Sequence, residues 1–387
     1  MIKKMKIVYC IPALHWSSGM ERVITQKANY FAEVLSYDIY IIITDGREKK
    51  PYFQLSPLIH LINLNINFDD LLGKSFWIRA WGYFKKQRVY KHRLSTSLKQ
   101  IKPDITISTL RREINFINSI KDGSIKIGEF HFSRVNYRDF KREKVPAFIQ
   151  KIVGKFWMNQ LISKLKRLDQ FIVLTNEDKL FWFELENVKV ISNPLSFFSE
   201  RTSDSNNKNV IAIGRYSHEK GFDLLADAWK MVNDKHPDWI LRIFGFGNNN
   251  ELKQQIQTLN LIDTCILEPA VSNIEEKLQE SSIFVLSSRW EGMPLVLLEA
   301  ISCGVPPVSF ACPCGPRDII HDKEDGLLVE NGNIKELAEK ICYLIENEDE
   351  RKRMGKQARI NAERFKIEHI GKQWETLFED LLKRKRS

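Results

Sequence analysis

The stretch "SSRWEGMPLVLLEAISCGVPPVSF", residues 287–310, sets two carboxylates, Glu291 and Glu299, on either side of an apolar run. Pro294 suits the first position of a helix, where its missing N–H costs nothing. Gly304 suits the residue just past the end, and Pro306 and Pro307 block continuation. The spacing therefore predicts a helix over about 294–303, with Glu291 in the loop ahead of it and Glu299 within it. That loop would offer the backbone N–H groups of Met293 and Leu295. Every other residue from Leu295 to Ile301 is apolar. A carboxylate buried there without partners costs several kcal/mol, and the hydroxyls of a bound ligand would supply such partners. Taken singly, Glu299 reads equally as a satisfied core acid, and Glu291 as a charge favoured at the positive end of a helix.

Outward from this stretch, strands alternate with helices. "KIVYCI", "DIYIIIT", "DITIST", "SIKIGEF" and "QFIVLT" are β-branched runs in the first half, and "VIAIG", "WILRIFG", "TCILEPA", "IFVLSS", "PPVSF" and "GLLVE" follow in the second. Helical patterns separate them, which argues for parallel, doubly wound sheets. Between the halves, "VISNPLSFFSERTSDSNNKN" leaves a strand through Asn193-Pro194 into a Ser/Asn-rich linker. The expected division is an N-terminal domain over 1–195 and a C-terminal domain over 196–367. The last helix, about 368–387, carries an apolar stripe of Ile370, Trp374, Leu377, Phe378 and Leu381 and is expected to pack back on the first domain.

The 387 residues, 43% hydrophobic, suffice for two cores. No run of eighteen apolar residues spans a bilayer. The opening "MIKKMKIVYCIPAL" has the lysines of a signal peptide, but its apolar patch stops at Pro12 and meets His15 and Trp16, so a first buried strand is the better reading. The six cysteines are scattered, form no C-x-x-C pair, and read as buried cytosolic thiols. A net charge of +10 implies an anionic partner: nucleic acid, anionic lipid or a phosphorylated small molecule.

Two further motifs bear on that choice. In "IAIGRYSHEKGFDLL" a strand ends at Gly214, Arg215 and Lys220 lie across a short loop, and Gly221 leads into a helix. Such a loop suits a diphosphate, with N–H groups, a guanidinium and a point charge together. The other reading is two solvated surface cations. In "FGFGNNNELKQQI", Gly245-Phe246-Gly247 turns tightly after a strand, but Asn250 stands where a dinucleotide fingerprint would have its third glycine.

Together these residues resemble the GT-B glycosyltransferases, specifically the retaining family-4 type. "EGMPLVLLE" matches that family's E-x7-E motif, "GRYSHEKG" its donor-diphosphate loop, and "SGMERV" (18–23) is similar to its N-terminal glycine loop. The resemblance implies an α/β fold of two Rossmann-like, doubly wound domains facing a central cleft. It implies that Arg215 and Lys220, with Gly214, hold the donor diphosphate, that Glu299 binds the ribose hydroxyls, and that Glu291 contacts the donor sugar. Backbone groups from Gly292, Met293, Pro294 and Leu295 would face sugar and phosphate. Gly19 would allow close approach of the first loop, Gly245 would lie by the nucleoside, and His131 in "GEFHFSRVN" matches the cleft histidine near the transferred sugar. Ser18 and Met20 depart from the glycine-loop pattern, a difference that bears on the diphosphate approach or on the acceptor side, and both keep a backbone N–H. No D-x-D occurs, and the resemblance implies metal-independent transfer with no cofactor, basic residues taking the metal's role.

The positive charge concentrates in residues 74–93, with seven Lys/Arg, Phe76, Trp77 and Trp81 and no acid, and in residues 141–167, where lysines mix with Ile, Val, Phe and Trp. Either is readable as a helix packed on its own sheet. The pair favours peripheral attachment to an anionic membrane, where an acceptor carried on a polyprenyl diphosphate would be reached. No nucleic-acid motif accompanies them. The sequence is thus read as a cytoplasmic transferase, peripheral on the inner face of the plasma membrane. It would move a hexose or N-acetylhexosamine from a nucleotide-sugar, UDP-linked, to a lipid-linked or growing surface glycan. The alternatives are a non-catalytic sugar-nucleotide-binding or membrane-associated protein and a nucleotide-sugar epimerase on the same fold.

Overall fold

The β-branched runs form two separate parallel sheets. The computed structural model describes residues 4–137 and 147–386, and its chain divides into two units. The first comprises Met1–Leu174, Lys179–Pro194 and Ile367–Ser387, the second Thr175–Asp178 and Leu195–Lys366.

Among the described residues, the first unit has strands β1 (Lys6–Ile11), β2 (Asp38–Ile43), β3 (His60–Asn63), β4 (Ile105–Ser108), β5 (Ile125–Glu129), β6 (Gln170–Val173) and β7 (Val188–Val190). They pair in parallel in the order β3-β2-β1-β4-β5-β6-β7. Because both faces of a parallel sheet are covered, its central strands are continuous apolar runs. Ile7, Tyr9 and Ile11 of β1 face a layer made by helix α1 (Gly19–Glu33) and the C-terminal helix Ile367–Arg386. Val8 and Cys10 face the other layer, where α2 (Phe76–Ile101) and α3 (Ala147–Leu165) pack. The apolar stripe of the C-terminal helix is buried against α1, with Trp374 and Phe378 essentially inaccessible. The strand β3 is absent from the sequence reading, because its four residues are half-exposed and lack a β-branched run.

The second unit has β8 (Asn209–Arg215), β9 (Ile240–Phe246), β10 (Cys265–Pro269), β11 (Ile283–Leu286), β12 (Pro307–Phe310) and β13 (Leu327–Val329) in the order β10-β9-β8-β11-β12-β13. Helices Phe222–Asn233 and Ile334–Glu346 seal one face through Leu225, Trp229, Leu337 and Ile341. The Ser/Asn-rich stretch after Pro194 is not a loose tether. Ser203 donates to the Ser281 carbonyl, and the buried Arg351 guanidinium donates twice to the carbonyl of Ser205, at 3.2 and 3.1 Å.

In each sheet the chain winds one way from its first strand and then the other, so the order reverses between β1 and β4 and between β8 and β11. The crevice outside the carboxyl ends of such a strand pair is where open α/β sheets bind ligands.

Candidate functional site

At the reversal in the second unit, β8 ends at Gly214-Arg215 and β11 is followed by the buried Ser287 and Ser288. Gly221 stands at the turn into helix Phe222–Asn233 with φ +62°, and a Cβ there would lie 2.1 Å from the Ser287 carbonyl oxygen. Only glycine allows this approach, which draws the 215–221 loop against the end of β11. The Ser287 hydroxyl answers by donating to the carbonyl of Lys220. Arg289 fastens the loop from outside, donating to the His218 carbonyl and forking onto Asp223 at 2.8 and 2.6 Å. That fork holds the Asp223 carboxyl below the usual carboxylate range.

The consequence is a meeting of two residues distant in sequence. The Lys220 ammonium lies 2.8 Å from Glu291 Oε1, both side chains largely buried. The Ser288 hydroxyl donates to the same oxygen at 2.6 Å, and the N–H of Glu291 donates to the Pro313 carbonyl. The Lys220 stem runs across Gly214, where a Cβ would lie 3.2 Å from its Cγ and Cδ. Arg215 is paired with Glu219 and its side chain is 56% exposed. The two cations of the loop therefore carry separate carboxylate partners.

The helix of the opening stretch is Leu295–Ser302, with Pro294 as its N-cap in extended conformation rather than its first helical residue. Gly315, at φ +117°, packs against this residue so closely that a Cβ would meet Pro294 Cδ at 2.5 Å. Gly304 is left-handed just past the end, as the sequence requires. Glu299 is 2% exposed. It has partners within the protein, so its burial does not by itself demand a ligand. Met293 is likewise buried and has a partner, and Gly292 and Leu295 are half-buried.

Beside β8, a Cβ on Gly245 would fall 2.1 Å from the Gly214 carbonyl oxygen, so the strand ends pack backbone to backbone. Tyr216 walls this corner, its hydroxyl donating to the carbonyls of Ile243 and Glu268 at 2.9 and 2.8 Å. Burial pushes its phenol up to about 12. Phe246, next to Gly245, is exposed. Tyr216, Ser288, Arg289 and Asp223 are absent from the sequence reading. Only their partners distinguish them from ordinary loop residues, and those partners are far away in the chain.

The remaining candidates lie in the first unit. Gly19 is the exposed first residue of α1. The two departures beside it have local reasons: the Ser18 hydroxyl donates to Glu21, and Met20 packs against the apolar layer. His131 follows β5, with its ring 4% exposed and Nε2 3.2 Å from Glu129 Oε1.

All six cysteines are buried, and none forms a disulfide. Among the described residues no group of three or more His, Cys, Asp or Glu is placed to hold a metal ion, and no helix is long and apolar enough to cross a membrane.

Residues 196–361 match the model of glycosyl transferases group 1. An uncharacterized glycosyltransferase of Haemophilus influenzae is 28% identical over 380 residues, covering 95% of this chain and 98% of that one. The GalNAc-alpha-(1->4)-GalNAc-alpha-(1->3)-diNAcBac-PP-undecaprenol alpha-1,4-N-acetyl-D-galactosaminyltransferase of Campylobacter jejuni is 26% identical, covering 96% and 97%. S. aureus TarM, solved with fondaparinux, alpha-GlcNAc-glycerol and UDP, shares the fold at TM-score 0.75 and 17% identity over 97% of this chain and 100% of that one. The two reversed parallel sheets are the GT-B fold, and residues 196–361 carry the match to glycosyl transferases group 1.

Proposed function

We propose that the chain transfers a hexose or N-acetylhexosamine, with retention and without a metal, from a UDP-sugar to a lipid-linked or growing surface glycan. The observation that carries this reading is the Lys220–Glu291 pair at the reversal of the second sheet. An ammonium and a carboxylate fixed side by side suit a substrate whose bond breaks into an anion and a cation. As the anomeric C–O bond lengthens, its electrons pass to the diphosphate and positive charge builds on the sugar ring. Lys220 and the exposed Arg215 face the first charge, and Glu291 the second, by electrostatic preorganisation. The acceptor hydroxyl attacks from the face the diphosphate leaves, and its proton goes to the departing phosphate oxygen.

The other roles follow the same chemistry. Gly214 and Gly245 keep the strand ends open to the nucleotide. Glu299 accepts from the ribose hydroxyls, and the backbone of Gly292, Met293, Pro294 and Leu295 lines the sugar and phosphate. In the first unit, Gly19 is assigned to the diphosphate and His131 to the transferred sugar. The UDP and the lipid-linked acceptor are supported by TarM, whose structure holds UDP, and by the Campylobacter relative, whose name specifies an undecaprenol-linked substrate.

A membrane-facing surface fits such an acceptor. Helices between parallel strands run against them, so α2 and α3 both begin at the carboxyl edge of the first sheet. With 26 residues α2 is roughly 39 Å long, far longer than the strands it covers. Only its second half is buried, through Tyr90, Leu94 and Leu98. Its first turns expose Phe76, Trp77, Ile78, Trp81 and Phe84, and α3 exposes Phe148, Ile152 and Phe156 at the same edge. Lysines and arginines interleave with them, and Lys85 lies over the Trp81 ring. Such a surface suits an anionic interface. Part of the charge is spent internally: Lys86 donates to the carbonyls of Ile66 and Asn67, and Arg93 to that of Leu64. Residues 141–146 of the second basic segment lie outside the described residues.

The test is incubation of the purified protein with a panel of nucleotide-sugars and membrane extract. Incorporation of one sugar into lipid-linked glycan supports the reading. Donor binding with neither transfer nor hydrolysis would make it a binding protein, and donor turnover without acceptor an epimerase.

A further inference from the structure

At the carboxyl end of β5 three titratable side chains meet inside the first unit. Ile125, Ile127 and Glu129 alternate onto one face of that strand, turned toward α1 and the C-terminal helix. Glu129 therefore enters apolar surroundings, and there it pairs with Lys27 of α1, each side chain 1% exposed. The Lys27 ammonium lies 4.6 Å from the Trp374 ring and 5.8 Å from that of Tyr9, so the C-terminal helix caps the pair. On the other side stands His131, its Nε2 3.2 Å from the oxygen that Lys27 occupies. Burial opposes charge on Glu129, but Lys27 and then His131 outweigh it and hold the carboxyl down at about 2. Burial also lowers the Lys27 ammonium. The contact between the Lys27 ammonium and Glu129 makes this an ionised pair.

A buried ion pair stabilises a fold weakly, and two apolar side chains of similar volume hold a helix to a sheet as well or better. Stability does not account for Lys27 and Glu129. An apolar pair, however, gives His131 nothing to orient against. His131 Nε2 is a buried polar atom with no aligned hydrogen bond, and the acceptor beside it is Glu129 Oε1 at 3.2 Å. A carboxylate beside Nε2 keeps the ring proton on that nitrogen and leaves Nδ1, across the ring, as an acceptor.

We infer that Lys27 and Glu129 are positioning residues, which hold His131 with its proton on Nε2 so that Nδ1 accepts a hydrogen bond from a sugar hydroxyl. Lys27 anchors Glu129 and cancels its charge, Glu129 orients the ring, and Trp374 closes the pair from the C-terminal helix. The inference rests on the role proposed for His131.

Nitrogen-15 NMR of the histidine-labelled full chain tests it, with His131→Ala identifying the resonance. The wild type should show the Nε2–H tautomer above the titration range, and an Nδ1–H tautomer there overturns the inference without any other variant. The double apolar variant Lys27→Met/Glu129→Leu should fold, lose the tautomer preference, and lower kcat at least about tenfold with a smaller change in donor KM. In the His131→Ala background the same double change should leave kcat where it was. An unchanged tautomer in the folded double variant, or an equal loss of kcat in both backgrounds, overturns the positioning role. Full transfer by His131→Ala alone would instead remove the proposed role of His131, while the tautomer measurement still decides whether the pair orients the ring.

Discussion

Lys220 and Glu291, 71 residues apart in the chain, share a 2.8 Å ion pair to which Ser288 adds a second donor. Their charges are fixed before any substrate arrives, so a diphosphate bound as proposed would meet an ammonium already held in place and largely stripped of water. That is where preorganised electrostatics contribute most.

Replacing Lys220 removes that charge and leaves Glu291 with Ser288 alone. Lys220→Ala is expected to lower transfer at least about 100-fold, and Lys220→Arg to rescue little, because a planar fork does not fit a site built for a point charge. Initial rates across donor concentration, with thermal unfolding of each variant, check both.

Glu299→Gln keeps the shape of the side chain and removes its charge. Donor KM should rise about tenfold, while kcat changes less. Because Glu299 has partners within the protein, stability should also fall, by about 1–3 kcal/mol. A variant that loses stability with donor KM unchanged would mark Glu299 as a core acid only.

The loop itself depends on Gly221. Gly221→Ala places a Cβ against the Ser287 carbonyl in a left-handed conformation, at a cost of at least about 2 kcal/mol. Donor binding should weaken with it, because the same shift displaces Lys220. Equilibrium denaturation measures the first and calorimetry the second.

Acid sensitivity should report the Lys27–Glu129 pair. The Glu129 carboxyl is lowered from 4.5 to about 2 in the fold, so the stability it contributes is complete above pH 4.5 and is lost as pH falls toward 2. In Lys27→Met/Glu129→Leu that part of the slope, one proton, should vanish. Parallel acid-unfolding curves for wild type and variant would contradict it.

Vesicle binding should depend on the first turns of α2. Trp77→Ala/Trp81→Ala is expected to lower partition onto anionic vesicles about tenfold or more, with transfer to a water-soluble acceptor analogue unchanged. Equal sedimentation with vesicles by wild type and variant would show that these rings do not touch the membrane.

Where the sequence was legible, periodicity and motif coincided. β-branched runs bounded by turns placed most strands, and Gly214, Lys220, Gly221, Glu291 and Glu299 were visible because strand ends and helix caps leave local marks. The apolar stripe of the C-terminal helix announced a buried face, now occupied by α1 and the first sheet. What escaped was long-range pairing. Nothing local in "SSRW" marks Ser288 as a partner of Glu291, or Arg289 as a clamp on Asp223. Nor does "TQKAN" show that Lys27 points inward, since a lysine on a helix is ordinarily solvated. The partner that Glu299 has within the protein is likewise supplied by the fold and invisible in sequence.

The most direct measurement is a calorimetric titration of UDP into the full-length wild type and Lys220→Ala. Saturable binding by the wild type, weakened about thirtyfold or more in a variant of unchanged fold (~2 kcal/mol), is the expected result. Equal affinity in both proteins would contradict the assignment of the diphosphate to the Lys220–Glu291 site.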